Sequence, residues 1–177
     1  LVIKKCKPSS KKSGGSRACE HGVKYEPVAT ELFEIIFNVV VEEFGCIQHP
    51  NFQIFGASPD GICNEESGDY MGTMLEIKCP YSREIIQGQI PEMYWMQIQG
   101  QLEVCDLEEC AYWECNLQEY EGREEYYKDG NSCKTEKGQY KGVVISIYNN
   151  ETESVEYMYS KIGLNKEDLE EWIDEVI

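Results

Sequence analysis

The sequence predicts a mixed α/β domain with a central β-sheet flanked by helices, and three observations carry that prediction. Helical and strand-like apolar patterns alternate along the chain in the order helix, strands, helix, strands, helix. The segment 73–79 is apolar on both faces except at Glu76 and Lys78, as expected of a strand inside a covered sheet. The 177 residues, 41% of them apolar, suffice for one core, and a chain of this size buries about 70% of its unfolded surface.

The elements follow in order. Pro8, Ser9, Ser10, Ser13, Gly14, Gly15 and Ser16 are loop-forming residues, and residues 1–19 hold six bases and no acid. Residues 1–17 therefore read as a flexible basic segment ahead of a single domain, 18–177. Val28, Leu32, Ile35, Ile36, Val39, Val40 and Phe44 recur at helical intervals. They predict a helix over 28–44 closed by Gly45, with Pro27 at its first position or kinking a longer helix. Residues 52–55 and 61–63 read as short strands around Ala57-Ser58-Pro59-Asp60, and 64–69 as a polar turn. Pro91 opens a helix to about residue 104. Strands are expected at 110–118, 143–148 and 154–159, the last two paired across Asn149-Asn150. A charged excursion, 119–142, separates the first two of these. Asn165, with Asp168 three residues on, caps a closing amphipathic helix that ends at Val176.

The formal net charge is −17, from 16 Lys+Arg against 33 Asp+Glu. As a sum it argues against a polyphosphate partner. Its distribution is uneven: residues 20–102 hold 13 acids and three bases, and residues 103–177 hold 20 acids and seven bases. No apolar run approaches the roughly 20 residues of a bilayer span, and no secretion signal is evident. Nine cysteines, an odd number without C-x-x-C spacing, indicate reduced thiols and an intracellular, non-secreted protein. Cys105, Cys110 and Cys115 are five apart, within loose zinc-ligand spacing. An odd separation on a strand sends Cys110 and Cys115 to opposite faces, so they read as small buried hydrophobes. The sequon Asn150-Glu151-Thr152 reads as a turn, and His21 and His49 show no partner spacing.

Three acids and one lysine stand in apolar or tight-turn surroundings. Asp60 lies between Pro59 and Gly61, where a bend aims its carboxylate off a strand end. Glu76 and Lys78, two apart, leave the same face of their strand, while Leu75 and Ile77 face the core. An acid and a base on a buried strand are costly unless paired or used, and on their own they also read as a structural ion pair. Asp60, sixteen residues upstream with a turn between, allows adjacent antiparallel strands. Two carboxylates on neighbouring strand ends can hold a divalent cation, and a lysine beside them can orient or deprotonate a water.

Ser58-Pro59-Asp60-Gly61 followed by Leu75-Glu76-Ile77-Lys78-Cys79-Pro80 resembles the PD-(D/E)XK nuclease motif. Gly22-Val23-Lys24-Tyr25-Glu26 and Tyr94-Trp95-Met96-Gln97-Ile98-Gln99 extend the resemblance to the phage lambda exonuclease, or YqaJ-like viral recombinase, family over residues 17–105. The resemblance implies a restriction-endonuclease-like core. It also implies a Mg²⁺-dependent DNA exonuclease, with Mn²⁺ able to substitute, acting 5′→3′ on double-stranded ends in recombination or genome processing. A single-strand annealing protein is the partner it implies, and the host cytoplasm, nucleus or a viral replication site the location.

By the same resemblance Asp60, Glu76 and the Ile77 carbonyl hold the metal, and Glu26 reaches it directly or through water. Lys78 activates the attacking water, and Gln97 orients the nucleophile or a phosphate. Arg17, Ser58, Ser82 and Arg83 are candidate nucleic-acid contacts. The element that surrounds the DNA 5′-phosphate in that family does not align with residues 1–17. Outside the motif, Glu26 also reads as a helix-start acid. Gln97 and Gln99 cannot share a helix face, and Tyr94, Trp95 and Met96 read as core. A structure-selective endonuclease of the same fold and a non-catalytic acidic interaction module are the alternative functions.

Overall fold

The computed structural model describes residues 17–150 and 152–177. The expected basic segment, apart from Arg17, lies outside the described residues, as does Glu151 of the sequon. The elements are α1 (Arg17–Phe37), β1 (Val41–Glu42), β2 (Ile47–Gln48), β3 (Gly56–Ala57), β4 (Gly61–Cys63), a 3₁₀ segment (Glu65–Tyr70), β5 (Met74–Lys78), α2 (Glu92–Cys105), β6 (Cys110–Glu114), α3 (Arg123–Lys128), β7 (Val144–Asn149), β8 (Ser154–Tyr159) and α4 (Lys166–Val176).

The central sheet is mixed, in the order β1-β4-β5-β6. β1–β4 and β4–β5 are antiparallel, and β5–β6 is parallel, as it must be when α2 forms the crossover between them. Period 2 divides the sheet into two chemistries. Leu75 and Ile77 join Cys63, Cys79 and Cys115 and meet Tyr25, Ala29 and Phe33, a stripe of α1 at four-residue spacing. Glu76 leaves the opposite face and meets α2. Leu75 is fully buried, so Leu75→Ala would cost about 2–5 kcal/mol. The β2–β3 hairpin packs on α2, where His49 Nε2 stands 3.6 Å from Glu103 Oε1.

Three expectations are corrected. The first helix begins at Arg17 and ends at Phe37, well short of Gly45. Asn38 adopts φ +53°, and the Val39 N–H reaches back to the Glu34 carbonyl at 3.2 Å, a Schellman stop closed by buried Val39. The apolar run continues past the helix because Val39 enters the core and Val41 starts a strand. Pro27 lies inside the helix on its exposed side, where solvent can satisfy the Val23 carbonyl left without a donor. Residues 52–55 form a turn, with the Phe55 N–H bonded to the Phe52 carbonyl, and the strand begins afterwards at Gly56. Trp95 and Met96 are exposed on α2 rather than core, while Tyr94 is half-buried. β7 and β8 pair antiparallel as expected, with Asn149 opposite Ser154 across a four-residue connection.

The C-terminal part docks on α1. Tyr159 Oη donates to the Lys24 carbonyl (2.9 Å), and the Ile162 N–H donates to Glu31 Oε1 (3.0 Å). Glu119 Oε1 accepts from both Lys24 Nζ (2.6 Å) and Tyr25 Oη. Within the excursion Lys141 is buried, and its closest partners are backbone carbonyls. Its Nζ donates to the carbonyls of Tyr126 and Asp129 and sits 4.0 Å from the Tyr126 ring centre. Burial lowers its pKa, and the two carbonyls and the ring take the place of water.

The hydrogen bonds from Lys24 and then Tyr25 hold the Glu119 carboxyl below its ordinary value. A depressed carboxyl stabilises the fold above its unfolded pKa, and that contribution is lost as pH falls through the lower folded value. Thermal melts across pH should therefore show wild type more stable than Glu119→Gln at neutral pH, with the gap closing below the ordinary glutamate range.

Candidate active site

β4 and β5 bring the acids together. Asp60 immediately precedes β4, and the Gly61–Leu75 register sets it beside the centre of β5. Its Oδ2 accepts the Ile77 N–H at 2.6 Å. Burial pushes the Asp60 pKa up; the Ile77 hydrogen bond opposes that, and the Glu76 charge adds to it. The glycine after Asp60 is a steric requirement. A Cβ at Gly61 would overlap the Val41 side chain and come within 3.3 Å of the Glu42 carbonyl.

Glu76 has no exposed surface, and its two oxygens divide their partners. Oε1 accepts from Lys78 Nζ and from Gln97 Nε2 (2.7 Å). Oε2 accepts from Gln101 Nε2 (2.9 Å). Lys78 Nζ also donates to the Ile77 carbonyl (2.9 Å) and lies 5.2 Å from the Tyr94 ring centre. Gln101 Nε2 bonds the Ser58 carbonyl as well (3.3 Å), while Gln101 Oε1 is buried with no hydrogen-bond partner among the described residues.

Glu26 lies near the middle of α1 rather than at a helix start. Partial burial raises its pKa, and the charges of Asp60, Glu43 and Glu76 add to the rise against the pull of Lys78. Three carboxyls thus crowd one lysine. Among the described residues no three His, Cys, Asp or Glu side chains are placed to hold an ion by themselves. The cysteine trio is not a cluster: Cys115 lies in the core, and burial pushes the Cys110 thiol up to about 12.

The candidate nucleic-acid contacts are more dispersed. Arg17 opens α1, exposed and about 13 Å along the helix axis from Glu26. Ser58 and Ser82 are exposed. Arg83 lies over the Tyr94 ring, 5.8 Å from its centre, with its guanidinium on Glu114. A phosphate at Arg83 would have to compete with that carboxylate.

Residues 1–108, more than half the chain, match the YqaJ-like viral recombinase domain. The chain belongs to that family. It is also 34% identical over 188 residues to an uncharacterized protein of Acanthamoeba polyphaga mimivirus, an alignment covering 89% of this chain and 33% of the relative. Among solved structures it is similar to an alkaline exonuclease from Laribacter hongkongensis, with TM-score 0.50 and 20% identity over 90% of this chain and 64% of that one. That similarity establishes the fold, a PD-(D/E)XK core. The chain spans about a third of the viral relative and just under two thirds of the solved exonuclease. Among the described residues no helix is long and apolar enough to cross a membrane.

In this YqaJ-like domain, sequence reasoning missed Gln101 and the ring of Tyr94. The four-residue spacing of Gln97 and Gln101 was the available signal, because it places both amides on one helix face. Tyr94 precedes Gln97 by three residues and shares that face. Gly61→Ala is expected to destabilise the fold by about 1–3 kcal/mol through overpacking against Val41. Thermal melting should register this as a lowered Tm.

Proposed function

We propose that this domain hydrolyses phosphodiester bonds of DNA with Mg²⁺ bound at the β4–β5 acids, Mn²⁺ substituting. One observation carries the reading: Asp60, at the head of β4, accepts the Ile77 N–H of adjacent β5, the strand that carries Glu76 with Lys78 donating to it. The residues fit a hard divalent cation. Every donor is oxygen, and three carboxyls face a single lysine, leaving negative charge for a cation to neutralise.

Asp60, Glu76 and the Ile77 carbonyl would hold the ion, with Glu26 reaching it directly or through water. When bound, the cation would polarise the scissile phosphate and stabilise the leaving oxyanion. Lys78 Nζ has three donors, two of them engaged by Glu76 and Ile77, which leaves one to hold the attacking water. Gln97 commits an amide N–H to Glu76, and its Oε1 would accept a hydrogen bond from that water and fix its direction. Ser58, Ser82 and Arg83 would contact phosphates near the site. The direction is exonucleolytic, 5′→3′ from double-stranded ends, within a viral recombination or genome-processing role alongside a single-strand annealing protein.

Residues 18–177 would form the single nuclease domain, with the basic segment 1–17 supplying phosphate attraction. Its removal should weaken DNA binding and flatten the salt dependence by about 0.9 log units per lost phosphate contact. The catalytic test uses end-labelled linear DNA beside closed circular DNA in Mg²⁺. Wild type should degrade the linear form, spare the circle, and stop on chelation. Asp60→Ala should fall to background and Lys78→Ala by at least about 100-fold, with circular dichroism unchanged. Wild-type rates in either variant would remove these residues from the mechanism, and cutting of the circle would make the domain an endonuclease.

A further inference from the structure

The geometry points to Gln101 as a positioning residue that sets the spacing of the two acids; this rests on the metal-dependent reading above. Its single side-chain nitrogen bridges the two segments that carry those acids. One contact is Glu76 Oε2 on β5, and the other is the carbonyl of Ser58, two residues before Asp60. On the other side, the Ile77 N–H holds Asp60 to β5. The turn bearing Asp60 is therefore tied to β5 twice, once through the strand backbone and once through α2.

The division of partners on Glu76 gives Gln101 a different task from Gln97. The Oε1 partners reach the outside: Gln97 is exposed, and the Lys78 side chain keeps 22% of its surface open. The Oε2 partner is buried, with Gln101 only 6% exposed. Gln101 fixes the inner oxygen, so the carboxylate cannot rotate when a partner on the outer oxygen is exchanged. Its amide has one workable orientation. A flip would set Oε1 against the Glu76 carboxylate and the Ser58 carbonyl, acceptor against acceptor. The present orientation leaves Oε1 buried and unpaired among the described residues, a local penalty that packing alone does not demand. A residue selected only for the core would be apolar here, like its neighbours Ile98 and Val104.

Calorimetric titration with Mn²⁺ tests this on the full chain, using Gln101→Met, which keeps the length, and Gln101→Asn, which keeps the amide but withdraws it by one methylene. Loss of a hydrogen bond that orients a metal ligand should weaken Mn²⁺ affinity by about tenfold or more. Cleavage should then require correspondingly more metal, with most of kcat recovered at saturation. That split between metal requirement and turnover would not come from a general loss of folded protein. Wild-type Mn²⁺ affinity in either folded variant overturns the assignment. Failure of the wild-type chain to bind Mn²⁺ overturns the metal-dependent reading itself and is seen before any variant is compared.

Discussion

A carboxylate with no exposed surface, in the middle of a β-strand, is the constraint on which the rest of the molecule depends. Glu76 can occupy β5 only if the fold delivers donors to both of its oxygens, because a buried acid without partners costs several kcal/mol. Lys78 comes from the same strand, and Gln97 and Gln101 come from one face of α2. The β5–α2–β6 unit is thereby fixed by polar contacts on one face of the sheet. Apolar packing of Leu75 and Ile77 against α1 fixes the other. Slipping β5 by one residue would bury Lys78 among aromatic side chains and turn Leu75 toward the amides, so the two faces specify the register together.

The same economy explains the charge. Some of the acidity is held by partners: Glu114 by Arg83 and Tyr112, Glu119 by Lys24 and Tyr25, and Glu170 by Arg123 and Tyr127. Around β4 and β5 the balance is different, since Glu26, Asp60 and Glu76 share Lys78. A net charge of −17 thus describes neither a uniformly repulsive surface nor an absence of phosphate chemistry. Neutralised pairs add nothing to that sum and the β4–β5 centre adds little, so most of it comes from other acids, the larger share beyond residue 102, where 20 acids meet seven bases.

Local patterns were legible where one rule governed a segment. Period 2 placed β5 and sent Glu76 and Lys78 to one face; the Asn165 cap marked α4, accepting the Asp168 N–H at 3.0 Å. Pro91 marked the start of α2. Patterns misled where two elements abutted without a polar break. Val39, Val40 and Phe44 continued the helical stripe past its end, and the left-handed backbone at Asn38 stops α1 at Phe37. Phe52 and Phe55 looked like strand residues, yet they are exposed and join a turn. Trp95 and Met96 looked like core because hydrophobicity alone does not say which helix face meets the sheet.

The sequence by itself determined the acids and the lysine as a set. Asp60 before a glycine, and Glu76 two residues from Lys78, are consequences of turn chemistry and strand periodicity, which act over a few residues. Only the tertiary structure decided which groups meet that set. Gln101 contacts Ser58 and Glu76 from 43 and 25 residues away, and Arg83 meets Glu114 from 31. Glu26 joins from the middle of a helix whose length depended on Asn38. These meetings follow from how α1 and α2 pack on opposite faces of one sheet, and no local spacing encodes a contact made across layers.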